Sequence, residues 1–459
     1  MPIRLAGARS GQAIAAVLLG IAAGALYTVS PLTAWCAALT AIVLALAGRG
    51  LPASDRRALN IVLVAALVAR AAAVGAMVVV NMPLHDDESV AMLSGDEAYG
   101  MSRALRTRDI VTGAPVSEYD YRIANDEYGR SSYITALTVA QILFGPTPYS
   151  MRLLNTLLFL IAGILLFRTT RSAFGLLPAL TGLTILLFLP SLFYWSISLL
   201  KEPLYLLGGT LVVTAAIAAT RARRMRDGVA PLVMGAAGLA IVSDLRQGAV
   251  VLAVAGLVIG LAILAFFSLP GRLRAIAAVV AALAVAALAS RPAAQQRVTQ
   301  ALESTAKTHA GHVFTVGHSY KLLDDTFYFT PVAASASTLT LTAGQAARYV
   351  VRAAASFAAV PLPWQLASTR ELVYLPEQLV WYVMLALLPA GLVAGWRRDR
   401  AATSLLAGFT LPTVAALALT NGNVGTLLRL RGIVIPYVIC LSATGFSAWM
   451  QYASARTTR

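Results

Sequence analysis

Apolar runs of membrane-spanning length recur along the whole chain. A helix of about 20 apolar residues crosses a hydrocarbon core, and runs of that length alternate here with arginine-rich or mixed polar segments. The pattern predicts about twelve transmembrane helices, at residues 11–29, 31–48, 59–80, 150–168, 176–195, 204–220, 229–243, 248–267, 274–290, 377–395, 401–420 and 433–449. A helical bundle follows, because a backbone in lipid must satisfy its own hydrogen bonds.

Composition strengthens this prediction. The 459 residues are 58% hydrophobic and 12% charged, with a mean hydropathy of +0.75, which is far from the balance of a soluble domain. The net charge of +16 comes from short arginine clusters between apolar runs. Such clusters are typical of cytoplasmic membrane loops, so membrane lipids rather than nucleic acid are the expected partners. Cys36 and Cys440 fall inside predicted spans, which argues against a disulfide framework.

The charge pattern also predicts orientation and domains. With the N-terminus in the cytoplasm, every short arginine-dense connection falls on the cytoplasmic side. The long segments 81–149 and 291–376 then face away from the cytoplasm. The predicted division is a transmembrane hairpin (1–58), a transmembrane module (59–290) that includes the first long loop, a second long loop or cap (291–376), and the C-terminal helices (377–459).

The first long loop holds the strongest candidates for catalysis. Asp96 and Glu97, followed by Tyr99, begin an amphipathic stretch that runs to Leu105. This stretch predicts a short helix lying on the membrane. A carboxylate near a surface of low dielectric can act as a general base. The alternative is that both acids simply solvate the loop.

A second acidic cluster precedes this pair. His85, Asp86, Asp87 and Glu88 lie just beyond the third predicted span. Oxygen ligands of this kind could hold a divalent cation, and solvation of the loop is again the alternative. The other histidines, His309, His312 and His318, lack the i, i+4 spacing of a helical zinc pair and are expected to be solvated in the second loop.

Basic residues on the same side could bind phosphate. Arg429 and Arg431 precede the last predicted span, and a guanidinium there can grip phosphate through two hydrogen bonds. Lys201 and Arg246 are rival candidates. Membrane-edge arginines also reach lipid headgroups without any catalytic role. Glu202 lies beside Lys201, where either local ion pairing or acceptor binding would explain it.

Several of these pieces together resemble the GT-C superfamily of glycosyltransferases. These enzymes use polyprenyl-phosphate sugars and include the protein O-mannosyltransferases and the aminoarabinose transferases of lipid A. The likeness covers residues 60–220 best, and the pieces are Asp96-Glu97 with Tyr99, a helix ending at Phe144-Gly145, Arg152-Leu153, Phe174-Gly175, Leu189-Pro190, Trp195 to Ser198, Lys201-Glu202-Pro203, and Asn421 to Arg431.

The resemblance implies an all-α, GT-C-like membrane bundle with interfacial helices in the first long periplasmic loop. It also implies an inverting transfer of one sugar from a polyprenyl-phosphate carrier to a lipid, glycan or protein acceptor, at the periplasmic face of a bacterial inner membrane. Asp96 would be the general base and Glu97 would orient it, with Tyr99 and Glu202 binding substrate. The reaction requires no cofactor, although a divalent cation at residues 85–88 stays possible.

Other readings stay open. An O-antigen polymerase or ligase would also use polyprenyl carriers, but with a diphosphate link. A transporter or flippase is expected to place ionisable residues in mid-span, whereas Arg70 is the main one here. The general base could also lie in the 85–88 cluster instead of at Asp96.

Overall fold

Regular structure in this protein is helical. The computed structural model describes Val17, Gly20, Ile21, Gly24 and residues 30–81, 95–127, 131–145, 147–315, 317–328, 339–365 and 371–457. Within these ranges no strand forms, and one isolated bridge joins Ser319 to Asn423. The helices are α1 (Pro31–Ala47), α2 (Ala53–Asn81), α3 (Gly95–Thr112), α4 (Glu118–Asn125), α5 (Ser132–Phe144), α6 (Pro148–Phe174), α7 (Leu176–Phe188), α8 (Pro190–Ile197), α9 (Glu202–Arg221), α10 (Met225–Leu245), α11 (Ala249–Ser268), α12 (Gly271–Ala289), α13 (Pro292–Val313), α14 (Ala343–Ala359), α15 (Leu375–Arg398), α16 (Arg400–Thr420), α17 (Val424–Arg431) and α18 (Ile435–Thr457).

The described helices confirm a multi-pass membrane protein. Eight of them are long and apolar enough to cross a bilayer, and the number rises to ten if each of two bent pairs is one span. The structure therefore gives eight to ten candidate spans where the sequence predicts about twelve. Helix α1, predicted as a span at 31–48, has 17 residues and belongs to the shorter apolar helices. Most of the predicted span 11–29 lies outside the described residues.

One predicted span is broken in two. Residues 176–195 were expected to form one helix, but α7 and α8 meet at an angle of 63°. Leu189 between them is extended, with φ −62° and ψ 126°, and Pro190 begins α8. Proline has no N–H to continue the preceding helix and disfavours helical backbone at the residue before it. The break therefore follows from the sequence Leu189-Pro190.

The described parts of the two long polar segments are largely helical. The first contains α3, α4 and α5, and the second contains α13 and α14. The helix predicted from Asp96 to Leu105 is confirmed and runs on to Thr112. Thr342 begins α14 with a reciprocal capping box, in which Gln345 bonds back to the Thr342 backbone, and such a cap stabilises a helix start.

The chain forms two compact units. Unit 1 contains Met1–Ile164, Phe193–Leu207 and Asp244–Arg246, and unit 2 contains the remaining residues. In unit 2, the backbones of α11 and α16 are in close contact. A Cβ added at Gly408 would overlap the backbone of Gly260. Small residues allow this close approach between membrane helices. Unit 1 buries several charged and amide side chains, and these form the candidate site.

Candidate functional site

A buried ion pair lies at the centre of unit 1. Arg152 Nη1 in α6 lies 2.5 Å from Glu97 Oε1 in α3, with side chains 1% and 0% exposed. The same carboxylate oxygen accepts a hydrogen bond of 2.9 Å from the backbone N–H of Leu199. Buried charges are tolerated when they are paired and hydrogen-bonded. Glu97 therefore fixes the start of α3 against the segment that follows α8.

That segment is a non-helical break held by polar side chains of α6. Residues 198–201 separate α8 from α9. Arg152 Nη1 donates to the carbonyl of Ile197 at 2.9 Å. The Asn155 amide nitrogen lies 2.7 Å from the Ser198 carbonyl oxygen and 2.9 Å from that of Leu200. Carbonyls at a helix end have no partner inside the helix, and leaving them unpaired in apolar surroundings is costly. Arg152 and Asn155 supply the missing donors.

Arg70 braces the residues just before the break. It is fully buried, and its Nε donates to the Ser196 hydroxyl at 2.7 Å. The guanidinium carbon lies 5.3 Å from the ring centre of Phe159 and 4.7 Å from that of Phe193. Cations are attracted to aromatic faces at such distances. These contacts account for an arginine that the sequence placed, without explanation, in the middle of a span.

Asp96 lies one residue before the ion-paired Glu97 and has a different environment. Its side chain is exposed, whereas that of Glu97 is buried. Both acids belong to the first turn of α3. Tyr99 is partly buried, and its hydroxyl accepts a hydrogen bond of 3.3 Å from Arg103. Of these two neighbouring carboxylates, Asp96 is therefore the accessible one.

Glu202 and Arg246 join two turns of unit 1. Arg246 Nη2 lies 3.1 Å from Glu202 Oε1, with side chains 25% and 4% exposed. The Asp244 carboxylate accepts a hydrogen bond from the backbone N–H of Ser132. The sequence left Glu202 open between local ion pairing and acceptor binding, and the ion pair described here joins it to Arg246 in another turn. Lys201, beside Glu202, is partly buried.

A cavity of about 770 Å³ lies along α5 within unit 1. Its apolar wall includes Val139, Leu143 and Phe144, and its polar lining includes Ser131, Ser132 and Asp244. A mainly apolar cleft with a few placed polar groups is typical of a ligand pocket. This shape suits a molecule that has an apolar chain and a polar head.

Arg431 in unit 2 stabilises the fold in this structure. It is 1% exposed, and its Nη2 donates to the carbonyls of Phe357 and, at 2.5 Å, Val360 at the end of α14. Its Nη1 donates to Gln378 at 3.0 Å. These bonds and the burial of the side chain show that Arg431 ties the end of α14 to Gln378 on α15. Arg429 on the same helix is only partly buried and is the better placed of the two predicted phosphate ligands.

The prediction that His309 is solvated in a loop is wrong. His309 lies on α13 and is fully buried. Its Nδ1 is 2.6 Å from the Asn421 carbonyl oxygen and its Nε2 is 3.1 Å from the Tyr328 hydroxyl. Burial lowers the pKa of His309 from 6.5 to about 4. The prediction failed because α13 is helical, so the spacing of three places His309 and His312 on one face, where His312 bonds the carbonyl of Thr420 at 2.8 Å.

The possible cation site cannot be placed. Asp86, Asp87 and Glu88 lie outside the described residues. Over the part of the chain that is described, no group of three or more His, Cys, Asp or Glu side chains could hold a metal ion.

Comparisons with known proteins identify no relative of this chain. No protein-family model, no curated protein and no solved structure matches it.

Sequence reasoning missed the roles of Arg152, Asn155 and Thr156. Only Arg152 was noted, as part of a motif, yet the three residues lie at i, i+3 and i+4 of an apolar span. Such spacing places them on one helix face, and polar residues inside a span usually face the protein interior. In the structure Thr156 donates to the Ser196 carbonyl at 2.9 Å. A polar stripe on α6 was thus the available signal.

Proposed function

We propose that the chain is an inverting glycosyltransferase of GT-C type. It would move one sugar from a polyprenyl-phosphate carrier to an acceptor at the periplasmic face of a bacterial inner membrane. The observation that carries the proposal is the contrast between Asp96 and Glu97. Arg152 and the Leu199 N–H hold Glu97 rigidly, while the neighbouring Asp96 carboxylate is exposed. A reactive carboxylate on a rigidly fixed helix end is the arrangement that positioned proton transfer requires.

The proposed reaction needs one base. Asp96 takes the proton of an acceptor hydroxyl or amine as that atom attacks the anomeric carbon. The new bond to the anomeric carbon forms while the bond from that carbon to the phosphate oxygen breaks, and the electron pair leaves with polyprenyl phosphate. Glycoside hydrolysis uses two carboxylates, whereas an ionised phosphate leaves with little help from an acid. Glu97 would act through position alone.

Negative charge builds on the leaving phosphate and needs a cationic partner. Arg429 and Lys201 are the two sequence-based candidates for this role, and Lys201 belongs to the same unit as Asp96. Arg246 is a weaker candidate, because Glu202 already neutralises its charge at 3.1 Å. The cavity along α5, apolar with a polar lining at Ser131, Ser132 and Asp244, supports a substrate that carries a lipid chain.

A second candidate is a transporter or flippase of lipid-linked glycans. It is favoured by two bent helix pairs, α7 with α8 at 63° and α17 with α18 at 66°. Broken helices and buried ionisable residues in spans, such as Arg70 and Arg152, are features of transporter sites.

One reconstitution distinguishes these candidates. Purified protein in liposomes is given polyprenyl-phosphate hexoses and pentoses with a radiolabelled sugar, together with lipid acceptors. A transferase moves the label to the acceptor, and free polyprenyl phosphate appears in equal amount. A flippase leaves the donor intact and exposes its sugar to periodate added on the opposite side. Donor translocation without any new glycan would contradict the transferase proposal.

A further inference from the structure

The pair formed by Glu202 and Arg246 is incomplete. Nε–H and Nη2–H lie along one edge of a guanidinium, and this edge matches both oxygens of a carboxylate. Here Nη2 contacts Glu202 Oε1 at 3.1 Å, which is one of the two hydrogen bonds that such a pairing can make. Neither Glu202 Oε2 nor Arg246 Nε has a hydrogen-bond partner among the described residues.

Both orphaned atoms are buried. Glu202 as a whole residue is 3% exposed, while the Arg246 side chain is 25% exposed. A buried acceptor and a buried donor that lack partners are each unfavourable. Both atoms belong to the same ion pair, and the arginine side of this pair is partly exposed. One small group could therefore donate to Glu202 Oε2 and accept from Arg246 Nε.

The chemistry of that group follows from the two charges. A phosphate at Arg246 Nε would lie beside the Glu202 carboxylate, and an ammonium at Oε2 would lie beside the guanidinium, so either ion meets a like charge. A neutral hydroxyl donates its proton to Oε2 and accepts from Nε–H. Two charge-assisted hydrogen bonds to one hydroxyl are strong and directional.

We infer that Glu202 and Arg246 form a hydroxyl-binding subsite that recognises one specific hydroxyl of a sugar. The inference rests on the proposed function for its choice of a sugar. The subsite belongs to the same unit as the ion pair of Glu97. Arg246 thereby becomes a residue that binds a sugar hydroxyl, and the phosphate role stays with Arg429 or Lys201.

Saturation-transfer NMR on the full chain in lipid nanodiscs tests this subsite without any need for activity. The probes are D-glucose, D-mannose, D-galactose and D-arabinose, followed by every monodeoxy form of the sugar that binds best. We expect one deoxy form to bind about tenfold to a hundredfold more weakly, which is the range for losing hydrogen bonds to charged groups. A water molecule as the only occupant would give no such difference between deoxy forms.

Two variants show whether the discrimination arises at this pair. Glu202→Gln removes the carboxylate, and Arg246→Lys keeps the charge but removes Nε–H. Each variant removes one of the two proposed hydrogen bonds, so the difference in affinity between the parent sugar and the critical deoxy form should become clearly smaller than in the native protein. Glu118→Gln, at an exposed ion pair with Arg122, is the matched control and should discriminate as the native protein does. Unfolding temperature and a monodisperse elution profile check folding, and Arg246→Lys alone decides the result if Glu202→Gln does not fold.

The outcomes separate this inference from the proposed function. Failure of every sugar to bind, or discrimination of undiminished size in the folded variants, would overturn the subsite. Sugar discrimination at this pair in a protein that transfers no sugar would keep the subsite and remove the transferase. Transfer that proceeds with unchanged sugar preference in the variants would keep the transferase and remove the subsite.

Discussion

Glu97 and Arg152 form an ion pair that holds a membrane helix break in place. The two side chains are 2.5 Å apart and almost completely buried. Arg152 also bonds the Ile197 carbonyl, and Glu97 also accepts from the Leu199 N–H. Arg152 therefore contacts the backbone just before the break at residues 198–201, and Glu97 contacts the backbone within it.

Removal of Arg152 should destabilise the protein strongly. Arg152→Ala leaves the Glu97 carboxylate buried without its cation, and the expected loss is about 3–5 kcal/mol. Arg122→Ala is the control, because the Arg122–Glu118 pair is 76% and 81% exposed and such surface pairs contribute about 0–1 kcal/mol. Unfolding in mild detergent measures both.

Replacement of both charges completes this test. The double variant Glu97→Leu with Arg152→Met should recover part of the stability lost in Arg152→Ala, since no buried charge is left unpaired. Equal stability of native protein and Arg152→Ala would show that the pair does not anchor the break.

Acid should destabilise unit 2 through His309. The pKa of His309 is about 4 in the folded protein against 6.5 for an ordinary histidine. Between pH 6.5 and pH 4, His309 is protonated in the unfolded chain but stays neutral in the folded chain. The free energy of unfolding therefore falls as the pH drops through this range. The shift corresponds to a loss of about 3 kcal/mol.

The contribution of His309 appears as a difference between variants. His309→Gln should lose less stability than the native protein over this pH range. Unfolding temperature against pH gives the comparison. Parallel curves for native protein and His309→Gln would contradict the assignment.

Arg429 should affect the donor more than the acceptor. If it binds the leaving phosphate, Arg429→Ala should weaken binding of polyprenyl phosphate by about tenfold to a hundredfold, the range for hydrogen bonds to charged groups. Arg348→Ala, at an exposed arginine near Asp324, controls for loss of one positive charge. Unchanged donor affinity in Arg429→Ala would transfer the role to Lys201.

Orientation in the membrane can be tested by labelling. Ser117→Cys should react with a membrane-impermeant thiol reagent only from the periplasmic side, and Asp227→Cys only from the cytoplasmic side. The native thiols of Cys36 and Cys440 are buried, which keeps background reaction low. Labelling of both sites from one side would contradict the predicted topology.

Local sequence patterns predicted most of the fold. Hydropathy gave the positions of helices such as α9 and α11, because a long apolar run is a property of the segment itself. The break before Pro190 was missed, because residues 176–195 were predicted as one span although proline disrupts a helix at its own neighbours. The number of spans differed between sequence and structure, because short apolar runs such as α1 do not show by themselves whether they cross a bilayer.

The candidate site depends on contacts between distant segments. Asp96 and Glu97 are neighbours of the same chemical type, and only the packing of α3 against α6 makes one buried and the other exposed. The pairing of Glu202 with Arg246 and the burial of His309 likewise depend on which helix faces meet. No local pattern specifies these meetings in a single sequence.

The most direct measurement is sugar transfer by Asp96→Asn in purified, lipid-reconstituted protein. The substitution keeps size and hydrogen bonding but removes the base, so the variant should fold, bind donor and transfer about 10² to 10⁴ times more slowly. Asp86→Asn and Asp87→Asn are the controls from the neighbouring acidic cluster and should retain transfer. Full transfer by Asp96→Asn, with loss in either control, would contradict Asp96 as the base and move it to residues 85–88.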